Sequence, residues 1–516
     1  MKKKILLPVA LVAAVVVAAV AFMGGGTSKY LNAIPDNSLL MAKVNVGNLV
    51  DDSDVLNNST IKSLVSLASG QLTEEYKNLV DEVMKDPSNF GINVDEPVVF
   101  AMIDEHRMIV TAAVSDRAAL TRNLNLFADA GIRISEEGGL TYVETYEEES
   151  ALAYNDNMLV FIADQRDLNS KYDINEYFDY QMPKAVDNPK YDQFFSQNDD
   201  AALFVDMGGV FKQINELMGD YAYDSSLALY AEMYKDISFM LDLNFGDGNV
   251  SSEVEILGSN EYIDALKNIW AAPSKKHLKY IPSDALAVAT VAMDLDAVQK
   301  LLPAEMDVNA MLSYFGLDSS VFKSLSGDYT FAMLPVELQG REKDPQFMVI
   351  VDCTDRKIFD MLIDTFGDEI SGVDSDVYSL NANRYYDYYS GREYKKGYDY
   401  YLMYKENAIF FVPENVYDNM KSGNGIEPLA YNIASDETIN GITCGGVLYL
   451  SRIVNEIIEE EGTSHIEDEA MEFLRMLDNL VLDIPSLTNA KMQLNLENKS
   501  ENILKQVLDT ALQTMM

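Results

Sequence analysis

Two stretches of this chain read alike, and the likeness limits what the chain can fold into. IPDNSLLMAKVNVGNLV begins at Ile34 and IPSDALAVATVAMDLDAV begins at Ile281. Each gives Ile-Pro, a polar turn, an alternating apolar strand, then a polar residue and the start of a leucine- and valine-bearing helix. Further matches follow in the same order. VVFAM at Val98 matches YTFAM at Tyr329, and AYNDNMLVFIA at Ala153 matches MYKENAIFFVP at Met403. AALFVDMGGVFKQI at Ala201 matches GVLYLSRIVNEI at Gly446, and FMLDL at Phe239 matches LVLDI at Leu480. Self-similarity over a long period marks a repeated architecture. The sequence therefore predicts two like domains, residues 30–272 and 278–516, with residues 1–29 standing apart. The boundary is placed at AAPSKKHLK, Ala271 to Lys279, whose proline and three lysines stand out in an acidic chain.

Within each half the local pattern is mixed. MAKVNV, VVFAMI, MIVTAAV, MLVFIA, AALFVDM and SSEVEIL have the β-branched and aromatic content and partial alternation of strands. NNSTIKSLVSLASG, DRAALTRNLNLFADAG, GGVFKQINELMGD and NEYIDALKNIW have helical periodicity, several with an Asp, Asn or Ser at the start. Asp156-Asn157 suits a two-residue hairpin turn, where positive φ is needed. The fold class expected is α+β: two duplicated domains, each a mainly antiparallel sheet with packed helices.

The leading segment gives an address. Three lysines precede an apolar run from Ile5 to Met23, and three glycines follow. This is an export signal, and the run is also about the 20 residues that a membrane-spanning helix needs. It reads either as a cleaved signal peptide, cut after Ala21, or as a membrane anchor with a glycine-rich tether. Both place the remainder outside the cytoplasm, in the periplasm or on the cell exterior. No cysteine ends the run. The chain holds only Cys353 and Cys444, which could pair in an oxidising compartment or stay as buried thiols.

The formal net charge is −44, from 83 acidic and 39 basic residues. Such a surface repels nucleic acid and anionic headgroups, and attracts cations or basic partners. Nucleic acid is excluded as a partner on this ground. The 25 methionines sit mostly inside apolar strands and helices, where they fill irregular cores or line an apolar groove.

From Arg384 to Tyr401, eight of eighteen residues are tyrosine: Tyr385, Tyr386, Tyr388, Tyr389, Tyr394, Tyr398, Tyr400 and Tyr401. The stretch reads as strand, polar turn around Ser390-Gly391 to Lys396-Gly397, and strand. Tyrosine suits a half-buried pleated surface and is also common at binding contacts. These eight are the candidate binding residues, for an envelope protein or a glycan.

Catalytic signals are weak. Ser59-Thr60-Ile61-Lys62 imitates the Ser-x-x-Lys of serine hydrolases, with Ser196-Gln197-Asn198 and Lys421-Ser422-Gly423 imitating the other motifs. The three straddle both halves, and the third follows a helix end rather than lying on a strand. His106, His277 and His465 lie far apart without metal-ligand spacing, and His277 and His465 read as solvated. No elbow, phosphate loop, dinucleotide fingerprint or EF-hand loop is present. No catalytic residue, metal ligand or cofactor is assigned.

The repeated Ile-Pro strand, the Phe-Ala-Met strand and the paired hairpins together resemble a family of large exported Bacteroidetes proteins described only as a domain of unknown function. The resemblance covers nearly all the chain after residue 30 and implies no activity and no functional residues. Its members often look like lipoproteins, and this chain departs by lacking the lipidated cysteine. The expected function is a non-enzymatic scaffold or binding protein of the cell envelope. The alternatives are a carrier of apolar ligand or lipid and, more weakly, a serine hydrolase.

Overall fold

The computed structural model describes residues 28–514 apart from 70–72, 131, 145–149, 165–169, 179–181, 219–232, 302–311, 314–317, 336–345, 381–382, 388–391, 397–398, 423–424 and 462–467. The leading apolar run lies outside the described residues. Among the described residues no helix is long and apolar enough to cross a membrane. The chain divides into two compact units. One is Met1–Gly258 with Lys499–Met516, and the other is Ser259–Asn498.

The strands of the first unit are β1 (Leu40–Val44), β2 (Val98–Met102), β3 (Arg107–Ala113), β4 (Arg133–Glu137), β5 (Leu140–Glu144), β6 (Ser150–Tyr154), β7 (Met158–Asp164), β8 (Ala201–Asp206), β9 (Ser238–Gly246) and β10 (Asn249–Leu257). They pair antiparallel in the order β4-β5-β6-β7-β3-β2-β1-β8-β9-β10. The second unit holds β11 (Trp270–Ala271), β12 (Ala287–Met293), β13 (Gly327–Leu334), β14 (Gln346–Asp352), β15 (Ile370–Asp374), β16 (Val377–Leu380), β17 (Asn383–Asp387), β18 (Arg392–Lys396), β19 (Tyr400–Lys405), β20 (Ala408–Pro413), β21 (Lys421–Ser422), β22 (Gly425–Ile426), β23 (Gly445–Leu448), β24 (Leu477–Ser486) and β25 (Asn489–Leu496). Its sheet runs β15-β16-β19-β20-β14-β13-β12-β23-β24-β25. The two orders coincide strand for strand. Outside this sheet, β17 pairs with β18 and β21 with β22.

Alternation along the strands sends neighbouring side chains to opposite faces, and both faces carry a core. On one face of the first unit, Tyr30, Ile34, Met41, Phe194, Phe204 and Met240 pack together. On the other, the helix Arg117–Asn125 presses Leu120 and Leu124 onto Val98, Val110 and Tyr154. The second unit has Tyr280, Ile281, Val288, Met348 and Phe410 on one face. Opposite them, the helix Arg356–Phe366 packs Ile358 and Phe359 against Leu402 and Ile409. Each such side chain stabilises the fold by roughly 1.5–3 kcal/mol when fully buried. Both helices start on an aspartate: Asp116 accepts from the N–H groups of Ala118 and Ala119, and Asp355 accepts from that of Lys357.

Each expected helix forms, as Ser59–Ser69, Arg117–Asn125, Met207–Met218 and Glu261–Lys267. Three expectations change. The units meet in sequence at Gly258/Ser259 rather than at Ala271–Lys279, which belongs wholly to the second unit. Within it Lys275 Nζ donates to the carbonyls of Ile439, Asn440 and Ile442. Asp156 and Asn157 do not take positive φ. Instead Asn155 Oδ1 accepts from the N–H groups of Asn157 and Met158, while Glu406 and Asn407, in the matching turn of the second unit, take φ of 53° and 57°. Arg392 to Lys396, expected in the turn of the tyrosine stretch, are strand and pair with Asn383–Asp387.

The final helix is placed across the sequence order. Ile503–Thr514 follows β25 of the second unit yet packs in the first, against the helix Val46–Ser53 that follows β1. Asn58 Nδ2 donates to Asp509 at 2.8 Å and Asn502 Nδ2 to the Phe245 carbonyl at 2.7 Å. The helix Glu261–Lys267 mirrors this. It follows β10 of the first unit and packs in the second, beside the helix Leu295–Leu301 that follows β12.

Candidate functional site

The eight candidate tyrosines do not form one described surface. β17 and β18 are joined in register, with Tyr385 opposite Tyr394 and Tyr386 opposite Glu393. Tyr388, Tyr389 and Tyr398 lie outside the described residues. Tyr400 and Tyr401 sit on β19 and point to opposite faces. Tyr401 stacks on Tyr417 at 3.9 Å and packs against the main core. Tyr400 stacks on Phe411 at 4.5 Å, and its hydroxyl accepts from the Phe347 N–H at 3.3 Å.

Tyr400 leads onto a surface that the sequence reading missed. On this second face the core under the helix Arg356–Phe366 lies at the β19–β20 end of the sheet, and exposed apolar side chains appear on β13, β14, β24 and β25. A row crosses the second unit by register: Phe411, Val349, Phe331, Ala289, Gly446, Leu482 and Met492. A second row runs beside it: Phe347, Met333, Ala287, Leu448, Leu480 and Leu494. Phe331 is 43% exposed, Phe347 49%, Leu482 41% and Met492 49%. The first unit carries equivalent rows, Phe100-Ala42-Leu203-Leu241-Val254 and Met102-Leu40-Val205-Phe239-Ile256, with Met102, Leu241 and Val254 exposed. Ala287, Ala289 and Gly446 keep the middle of the second unit's rows low between larger side chains. A Cβ on Gly446 would stand 2.8 Å from the Val288 carbonyl, so the floor there cannot be raised without moving a strand. The exposed apolar side chains along these rows are the candidate contact surface. Their signal in the sequence is that β2 and β13 are apolar at both parities, which blurs the alternation.

Residues read as possible catalysts are scattered. Ser59 and Lys62 lie exposed on the first turn of the helix Ser59–Ser69, and Ser196 ends a short helix of the same unit. Lys421 and Ser422 form β21 of the other unit, so the third motif does lie on a strand, though one of two residues. His106 contacts Glu105 at 3.2 Å on an exposed turn, and His465 lies outside the described residues. Cys353 and Cys444 are free and buried.

His277 corrects the solvated reading. It is 3% exposed, and its Nε2 lies 2.8 Å from Asp352 Oδ1. Asp352 Oδ2 accepts from Lys276 Nζ at 2.8 Å and from the Asp328 N–H at 3.0 Å. Asp328 in turn accepts from the Ser274 N–H at 3.0 Å. Burial pushes the Asp352 carboxyl up, but the bonds from His277, Lys276 and the Asp328 N–H outweigh it and hold it at about 2. Gly327, at φ 145°, makes room: a Cβ there would stand 2.6 Å from Asp352 Oδ2. The network clasps Ser274–His277 to β13 and β14, and its polar groups are spent on one another.

Two clefts are open. One of about 560 Å³ in the second unit has a mixed lining that includes Asp284, Leu334, Asn415, Val416, Leu429 and Tyr431. One of about 520 Å³ in the first is bounded by Asn48, Asp51, Asp52, Asn198 and Asp200. Burial, with the Asp200 charge adding to it, raises Asp52 to about 6. Among the described residues no group of three or more His, Cys, Asp or Glu could hold a metal ion.

The model of a family described as "Domain of unknown function (DUF4836)" matches residues 30–428. No curated protein matches. Two solved structures, crystal forms I and III of TP0453, are similar at 13% identity, over 46% of this chain and 81% and 82% of theirs, with TM-scores of 0.27 and 0.29.

Proposed function

The chain belongs to the DUF4836 family, and from that premise we propose that it is a non-enzymatic binding protein of the cell envelope, exported and built by internal duplication. Its open sheet faces take up an amphipathic, basic segment of another envelope protein. The observation that carries this is the pair of apolar rows found at equivalent strands of both units. A low floor of alanine and glycine between phenylalanine, leucine and methionine suits an apolar segment laid along the strands. The net charge of −44 favours a basic occupant. The tyrosine hairpin is kept as a second contact element, with Tyr385 and Tyr394 opposite each other at its centre.

The test is native mass spectrometry of protein extracted gently from its own envelope, compared with the Phe331→Glu/Leu482→Glu variant. The expected result is a co-purifying protein on the natural chain that the variant loses while keeping its thermal midpoint. A bare natural chain, or a partner retained by the variant, would overturn the proposal. A reproducible small added mass in place of a protein would mark a carrier of apolar ligand.

A further inference from the structure

We propose that the helix Ser59–Ser69 is a membrane-contact element that holds the first unit against a lipid surface. The helix presents Ile61, Leu64 and Leu67 at steps of three, which brings them into one stripe. Leu64 is 49% and Leu67 74% exposed, and the neighbouring polar positions are Ser63, Ser66 and Lys62. A soluble face of this chain would be expected to carry carboxylates, since 83 of 516 residues are acidic. Yet from Val55 to Thr73 there is no Asp or Glu, and the one charge is Lys62. The rest of the surface repels anionic headgroups, whereas this stretch can approach them. Apolar residues on one side and uncharged or cationic residues on the other are the pattern of a helix lying in a bilayer interface.

The start of the chain supplies the second argument. The apolar run ends at Met23, and Tyr30 is already fully buried in the core of the first unit. Six residues separate them, a reach of at most about 25 Å. If the run stays in the bilayer, the unit is confined to the lipid surface, and a weak interfacial helix then binds at high effective concentration. The inference thus rests on the anchored reading of the leading segment.

The test uses the full chain. Cys353 and Cys444 are buried, so a single Ser66→Cys can be labelled with an environment-sensitive dye. The labelled protein is reconstituted into phosphatidylethanolamine/phosphatidylglycerol vesicles containing headgroup spin-labelled lipid, since Ser66 lies on the polar side of the helix. Quenching should exceed that of the same protein carrying Leu64→Ser and Leu67→Ser by about threefold. Equal quenching in the two, or none in either, would overturn the proposal. Flotation of the vesicles reads the anchor separately. A chain that floats without quenching keeps the anchor and loses the helix contact. A chain that does not float loses the anchor, and quenching by added vesicles then decides the helix alone. A dye shielded in envelope extract but unquenched by lipid would mean that a protein covers this face, and would also overturn the proposal.

Discussion

Replacing Asp352 by asparagine keeps the shape of the His277 clasp and removes its charge. Three groups donate to this carboxylate, and together they bring its folded value from 3.8 to about 2. At about 1.4 kcal/mol for each unit, the shift corresponds to about 2.5 kcal/mol. Lys276 is half-exposed and its share is screened by solvent, so about 1.5–2 kcal/mol is expected at pH 7. The chain has a single tryptophan, Trp270, on β11 beside the clasped segment, so its fluorescence reports the second unit selectively. With a urea dependence of about 2–3 kcal/mol per molar, the midpoint should fall by roughly 0.7 M. The folded value lies below the unfolded one, so the unfolded chain binds more protons between them. The clasp is therefore at full strength above about pH 4 and is lost as pH falls through 2. The gap between natural and variant proteins should close over that range. Equal midpoints at pH 7, or a gap that persists unchanged at pH 2, would refute the reasoning.

Three further outcomes are expected. Asp52 is raised to about 6, so its burial penalty grows as pH rises from 4 through 6; Asp52→Asn should raise the stability of the first unit above pH 6 by about 1 kcal/mol after allowance for its partial exposure, and a pH series of thermal melts checks this. Gly327→Ala should cost about 2 kcal/mol or more, by clash with Asp352 and by its φ of 145°, whereas Gly139→Ala, at φ 89° in open space, should cost only about 1 kcal/mol, compared by urea unfolding. Cys353 and Cys444 should resist maleimide in the native state and react on unfolding, since both are buried and burial pushes the Cys353 thiol up to about 11.

Helices and antiparallel strands could be read from local pattern because each strand carries its own alternation and each helix its own period. Arg117–Asn125 is legible from Asp116, whose side chain caps it. Alignment failed where a strand is apolar at both parities. Matching Ala201 to Gly446 sets an offset of 245, but the register pairs Ala42 with Leu203 and Ala289 with Gly446, an offset of 446 − 203 = 243. Nothing local in AALFVD or GGVL opposes a slip of two, which leaves every side chain on its own face. His277 was misread because its partner, Asp352, lies 75 residues away in the chain. The open rows were missed because an exposed phenylalanine and a core phenylalanine are the same letter.

The exchanged terminal helices bear on how this chain is made. Synthesis delivers β1 to β10 first, but the helix that packs on Val46–Ser53 is Ile503–Thr514, hundreds of residues later. The first unit must therefore wait, incomplete, while the whole second unit is translated. The second unit, Ser259–Asn498, can close as soon as its own residues have emerged, since Glu261–Lys267 reaches it early. A chain broken off before residue 499 would carry a finished second unit and an open first one, with the apolar side of Val46–Ser53 bare to whatever chaperone or protease inspects it.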